Sequence, residues 1–167
     1  MIRYVAVIDL GKTNSKVALV DTNEAKEICV IKQPTAVNSD SVEPDFYPAL
    51  DHVAIREFVL ESLAELSSMH ALEAITVTTH GATVALIDAA GELAMPVLDY
   101  EYQSVDDTRT EYDKFRPDFS ETGSPALPGG LNIGAQLFWQ QRHHPELFLK
   151  VHTILTWPQY WIYMLTG

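Results

Sequence analysis

The sequence holds a single cysteine, Cys29, so no internal disulfide framework is open to it, and this usage suits a reducing, cytoplasmic setting. Bases are scarce: 11 Lys plus Arg stand against 23 Asp plus Glu, a formal net charge of -12. Contacts to a phosphate backbone demand clustered Lys and Arg, so this balance argues against nucleic acid, and equally against an anionic membrane surface. No apolar run approaches the roughly 20 residues that a membrane-spanning helix needs. The opening residues, MIRYVAVIDLG, enter a strand pattern directly, without the layout of a secretory leader. Internal repeats and low-complexity tracts are also missing. What is present is a 167-residue chain that is 47% hydrophobic, enough for one compact domain with a real core or for a piece of something larger.

Apolar runs at Tyr4 to Asp9, Ser15 to Asp21 and Glu27 to Lys32 are separated by turn residues and predict a β-meander. A polar, Pro-containing loop is expected from Pro34 to Pro48. Asp51 has the character of a helix N-cap, and Ile55, Phe58, Val59, Leu63, Leu66 and Met69 recur at helical spacing up to about His70. A strand is expected over Ala74 to Gly81. TVALID and ELAMPVL, joined by AAGE, predict a further hairpin. A Gly/Pro loop follows at Thr122 to Gly130, then a helix ended by Pro145, and last an apolar helix with Pro158 in its first turn. Three strands, a crossover helix and another strand predict an α/β domain with a mixed β-sheet and flanking helices.

The stretch VAVIDLGKTNSKVALVD places Asp9 at the end of a strand, before the turn Gly11, Lys12, Thr13 and Asn14. A Walker A loop is excluded, because Ala6 stands where its first glycine is required and a strand, not a helix, leads out. A tight turn of this kind can aim backbone N–H groups at phosphate oxygens. Asp9 could hold Mg²⁺ directly or through water, and Lys12 and Lys16 could add positive charge near a transferred phosphoryl group. The plain alternative is a hairpin whose turn favours Gly and Asn, carrying surface lysines.

With the downstream segments, the stretch resembles the FGGY family of carbohydrate kinases, including its xylulokinase-, rhamnulokinase- and fuculokinase-like members. VIDLGKTNSKVALVD is similar to the family's first phosphate motif, TVTTHGATVALIDAAGELAMPVL to its sugar-site strand and hairpin, and PELFLKVHTILTWPQYWIYMLTG to its apolar helix ending in Leu-Thr-Gly. The resemblance implies the ribonuclease H-like fold of the actin/hexokinase/Hsp70 ATPase superfamily. It also implies ATP- and Mg²⁺-dependent phosphorylation of a sugar or polyol hydroxyl. Asp9 then matches the metal-linked acid; Gly11, Lys12, Thr13 and Asn14 match the loop facing the ATP phosphates, and Lys16 a basic position just after it. Lys12 departs from the small residue common at its place. His80, Gly81, Ala82 and Thr83 match the lining of the sugar pocket, with Asp99, Tyr100 and Glu101 where members carry groups for sugar hydroxyls. LDYEY follows neither common form of that segment.

On this resemblance residues 1–167 form the N-terminal part of the first kinase domain. The general-base aspartate and the adenosine-binding second domain would come after Gly167, so this stretch alone is expected to be inactive. Sheet edges left open predict self-association, a homodimer in the simplest case. Each assignment has a structural alternative. His80 could be a hydrogen-bonded structural histidine, and Asp99 and Glu101 solvated loop acids. Trp139, Trp157, Tyr160 and Trp161 are expected in the core, and His143 and His144 suit a helix C-terminus rather than a metal. Two other functions share these features: a non-sugar ATPase of the same superfamily, and a non-catalytic α/β module whose PDFYPAL and DFSETGSPALPGG loops meet a partner protein.

Overall fold

The computed structural model describes residues 2–38 and 47–167. In chain order the strands and helices are β1 (Tyr4–Leu10), β2 (Asn14–Asp21), β3 (Lys26–Pro34), β4 (Val37–Asn38), β5 (Ala49–Leu50), α1 (His52–Met69), β6 (Ala74–Thr79), β7 (Val84–Ile87), α2 (Arg109–Tyr112), α3 (Phe119–Thr122), α4 (Ile133–His143), α5 (Pro145–Phe148), β8 (Thr153–Thr156) and α6 (Trp157–Thr166). Short 3₁₀ segments lie at Gln103–Thr108 and Gly129–Leu131. Most of the expected loop from Pro34 to Pro48, with part of PDFYPAL, lies outside the described residues.

The elements fall into two compact units, each built from separate stretches of chain. The first takes the described residues of Met1–Val37 with Leu50–Gly81 and Trp157–Gly167; the second takes those of Asn38–Ala49 with Ala82–Thr156.

In the first unit the strands form one sheet in the order β3-β2-β1-β6. The meander pairs antiparallel, with Asp9 opposite Lys16 and Leu10 opposite Ser15, whereas β1 and β6 run parallel with Leu10 beside Thr79. The mixed sheet expected from the sequence is therefore present. Alternation along β1 buries Ala6, Ile8 and Leu10 on one face and leaves Val7 and Asp9 partly exposed on the other. Helix α1 starts where the Asp51 carboxylate accepts the Ala54 N–H at 3.0 Å, satisfying an otherwise orphaned donor. Its buried stripe of Ile55, Phe58, Val59, Ser62 and Leu66 faces β1 and β2. Helix α6 packs on β6 and buries Trp157, Tyr160 and Trp161; the first two rings stack at 5.2 Å. These aromatics are core, as their helical spacing suggested.

The second unit is organised around Tyr47, Val84, Leu86, Met95, Leu98, Val105, Ala135 and Trp139. Tyr47 and Trp139 meet edge to face at 5.6 Å, an arrangement that suits the charge distribution of the two rings. Here the structure corrects one expectation. β7 does not build its ladder with ELAMPVL; the expected hairpin is cut to one bridge, Ile87 to Leu93, and two bonds, Asp88 N–H to the Glu92 carbonyl and Ala94 N–H to the Leu86 carbonyl, each at 2.8 Å. Pro96 has no N–H to extend the ladder. β7 instead pairs antiparallel with β8, Val84 opposite Thr156 through Ile87 opposite Thr153. Pro145 ends α4 as expected, and then opens the short α5, where its missing N–H costs nothing.

Candidate active site

The candidate phosphate hairpin belongs to the first unit. Between β1 and β2 only Gly11, Lys12 and Thr13 lie outside the strands, and the Gly11 N–H donates to the Asn14 carbonyl at 3.0 Å to close the turn. A Cβ at Gly11 would stand 3.0 Å from that same carbonyl oxygen, so a side chain there pushes directly on the turn. Leu10, not Asp9, is the last residue of the strand. The Asp9 side chain is 41% exposed, open to solvent rather than buried, and receives the Lys16 ammonium at 3.2 Å. A half-exposed pair of this kind adds little stability, about 0–1 kcal/mol.

The turn is held from behind by Thr35, a residue of the loop expected from Pro34 to Pro48. Its N–H donates to the Thr13 carbonyl at 3.0 Å, and its hydroxyl to the Gly11 carbonyl at 2.8 Å. Ser15, fully buried, places its own hydroxyl 3.1 Å from that of Thr35. Two turn carbonyls are thereby tied back to the chain after β3. Carbonyl oxygens repel an approaching anion, so a turn with its oxygens engaged is the more receptive to phosphate.

The parallel β1–β6 pairing brings a further predicted residue to this end of the sheet. The His80 N–H donates to the Leu10 carbonyl at 3.4 Å, so its backbone lies beside the start of the turn. Asp9, the turn residues, Lys16 and His80 thus share the end where the parallel strands finish, the usual place for ligands in such sheets. Gly81 is exposed and is the last residue of its stretch in this unit.

The other predicted residues belong to the second unit. Thr83 is buried, directly ahead of β7. Asp99 is also buried, and its carboxylate accepts the Glu101 N–H at 3.1 Å, fixing a turn in which the Tyr102 N–H returns to the Asp99 carbonyl at 2.9 Å. Tyr100 is half-buried and Glu101 exposed at the tip of that turn. Four residues not singled out from the sequence support this region. Gly130 N–H donates to the Tyr100 carbonyl at 2.9 Å. Asp106 accepts the Gly129 N–H at 2.9 Å and pairs with Arg109 at 2.8 Å, and Arg109 also donates to the Leu127 carbonyl at 2.7 Å. The Gly129 amide, then the Arg109 guanidinium, hold the Asp106 carboxyl below its ordinary range. Gln136, fully buried on α4, donates from Nε2 to the carbonyls of Ala82 and Gly130. Gly130 ends the Gly/Pro loop that the sequence predicts, but nothing in the sequence marks the other three: Asp106 and Arg109 sit in a weakly patterned stretch, and a helical glutamine ordinarily faces solvent.

Among the described residues no three His, Cys, Asp or Glu side chains gather to hold a metal. Any divalent cation at Asp9 would rely on one accessible carboxylate with water and phosphate oxygens, a donor set that suits Mg²⁺. No helix among the described residues is long and apolar enough to cross a membrane.

Over residues 4–167 the chain matches the FGGY family of carbohydrate kinases, N-terminal domain, and it belongs to that family. It is 25% identical over 155 residues to an L-fuculokinase of Salmonella typhi, an alignment covering 89% of this chain and 32% of that protein. A carbohydrate kinase from Novosphingobium aromaticivorans superposes with a TM-score of 0.82 at 37% identity, over 95% of this chain and 33% of that one. A xylulose kinase from Rhodospirillum rubrum shares the fold, with a TM-score of 0.75 at 24% identity over 98% of this chain and 34% of the other. The fold is thus the ribonuclease H-like one that the sequence suggested. The chain spans about a third of the length of these relatives.

Proposed function

We propose that this chain supplies the first phosphate loop and part of the sugar-binding surface of an ATP-dependent carbohydrate kinase. The observation that carries it is the hairpin: a three-residue turn with its Gly11 and Thr13 carbonyls drawn back to Thr35, beside the accessible Asp9 carboxylate. Gly11, Lys12, Thr13, Asn14 and Lys16 are assigned to the ATP phosphates, and Asp9 to Mg²⁺. When bound, the ion would offset the charge of the phosphates. His80, Gly81, Ala82, Thr83, Asp99, Tyr100 and Glu101 are assigned to the hydroxyls of a sugar or polyol.

In the transfer, a sugar oxygen bonds to the γ-phosphorus, the bond to ADP breaks, and the hydroxyl proton leaves to a base. No base is assigned among residues 4–167, and positioning with electrostatics is what these residues would contribute. The cytoplasmic setting rests on the lone cysteine, and the absence of a nucleic-acid partner on the net charge of -12. The test is ADP release by the whole protein with ATP and Mg²⁺ across a panel of ketoses, aldoses and polyols. Release that depends on one or a few sugars is expected. ADP formed at the same rate without sugar, or no ADP with any of them, would overturn the assignment.

A further inference from the structure

Gln136 is a fully buried amide on α4, whose other buried residues are Ala135, Trp139 and a second amide, Gln140, which donates to the Tyr47 hydroxyl. Burying an amide there costs free energy that a Leu or Met of similar volume would avoid. The cost is only partly relieved. Nε2 serves two acceptors, the carbonyls of Ala82 and Gly130, while Oε1 is buried with no hydrogen-bond partner among the described residues. Core packing alone therefore does not account for the residue.

The two carbonyls that it joins belong to stretches far apart in sequence. Ala82 precedes Thr83 within the first sugar segment. Gly130 donates its N–H to the Tyr100 carbonyl at 2.9 Å and approaches that residue so closely that a Cβ would lie 2.8 Å from the same oxygen. One nitrogen thus links Ala82 directly, and the Asp99–Glu101 turn through Gly130.

We propose that Gln136 is a positioning residue for sugar recognition: its buried amide nitrogen sets the distance between the Ala82–Thr83 segment and the Tyr100 turn, and so which sugar or polyol the site accepts. The proposal rests on the carbohydrate-kinase reading and adds to it a residue that touches no substrate. Gln136→Met keeps the volume and removes both donors. Gln136→Glu keeps the shape, but turns a carboxylate toward two carbonyl oxygens until protonation restores one donor, and burial favours that protonation.

The experiment is steady-state ADP release by the whole protein, with sugar and ATP varied separately, for wild type and both variants from pH 5.5 to 8, beside thermal melts. For Gln136→Met, the sugar KM is expected to rise about tenfold or more, with the ATP KM within about twofold, because misplacement of a binding group by a fraction of an ångström weakens only the contacts it makes. For Gln136→Glu, the sugar KM relative to wild type should fall as the pH drops, while the ratio for Gln136→Met stays flat. A purely structural role would move the melting temperature and leave those ratios unchanged. A folded Gln136→Met with sugar KM unchanged, or with sugar and ATP KM raised alike, overturns the proposal. If that variant does not fold, hydrogen exchange on the wild type decides. Saturating sugar should slow exchange at both Ala82–Thr83 and the Gly130 amide, and slowing at neither or at one alone overturns it. An active wild type with an indifferent variant removes only the positioning role; a wild type that turns over no sugar removes the kinase reading and the proposal with it.

Discussion

Replacing Thr35 by valine keeps the β-branched shape and the N–H bond to the Thr13 carbonyl, and removes only the hydroxyl. Two interactions are lost: the 2.8 Å bond to the Gly11 carbonyl and the 3.1 Å contact with the Ser15 hydroxyl. The first is worth about 1 kcal/mol; the second leaves a fully buried hydroxyl without its partner, at a cost of about 1–3 kcal/mol. The larger part therefore falls on folding, and the smaller part on the turn itself. If the Gly11 carbonyl swings toward the phosphates, about 1 kcal/mol is lost from ATP binding, a rise in ATP KM of about fivefold. Adding Ser15→Ala to Thr35→Val removes the stranded hydroxyl, so the double variant should melt above Thr35→Val while keeping the raised ATP KM. ADP release with ATP varied at saturating sugar, paired with thermal melts, reads both quantities. An ATP KM for Thr35→Val within about twofold of wild type would show that Thr35 is only a piece of scaffold.

Asp9→Asn is expected to lower activity by about ten- to a hundredfold, the usual cost of losing a group that helps hold a catalytic metal ion, without a resolvable shift in melting temperature; ADP release and melts check the two together. Asp106→Asn bears on pH. The Gly129 amide and Arg109 hold the Asp106 carboxyl below its ordinary range. Its stabilising effect is thus complete above the unfolded-state pKa of about 3.9 and is lost as the pH falls through the lower folded value. The variant should melt below wild type at neutral pH, and the two should converge in strong acid; a gap that stays constant down to that range would refute the assignment.

Much of the first unit was legible because its signals are local. Apolar runs separated by turn residues gave β1 and β2, the Asp51 cap and a helical stripe gave α1, and Pro158 lies in the first turn of α6 as expected. The second unit was harder to read, since its pairings are long-range. β7 meets β8 at the far end of the sequence, and β8 is too short and too exposed to announce itself as a strand. The sugar and phosphate motifs were visible as residue types, but their supports were not. Thr35 acts from a loop through its backbone and hydroxyl, and Gln136 buries a side chain that composition would place in water. Polar groups engaged with distant backbone carry no periodic signature.

Gly11 and Gly130 offer the sharpest separation of the two assignments, because each is required for space. Neither has a positive φ, so the strain of adding a methyl group would come from what it strikes. At Gly11 the Cβ meets the Asn14 carbonyl at 3.0 Å; at Gly130 it meets the Tyr100 carbonyl oxygen at 2.8 Å and Cα at 2.9 Å. All of these are backbone atoms, which cannot rotate aside as a long side chain would. Gly11→Ala must open the phosphate turn, and Gly130→Ala must displace the Tyr100 turn. With the first confined to nucleotide binding and the second to sugar binding, Gly11→Ala raises the ATP KM with the sugar KM held, and Gly130→Ala does the reverse. The second effect should be the larger of the two, since the approach is closer and falls on two atoms. Overpacking of this order costs about 1–3 kcal/mol, equivalent to roughly a five- to 150-fold change in KM when all of it reaches the ligand. Two variants that shifted the same constant would show that hairpin and turn do not serve separate ligands, and the division of this chain into a phosphate part and a sugar part would fail.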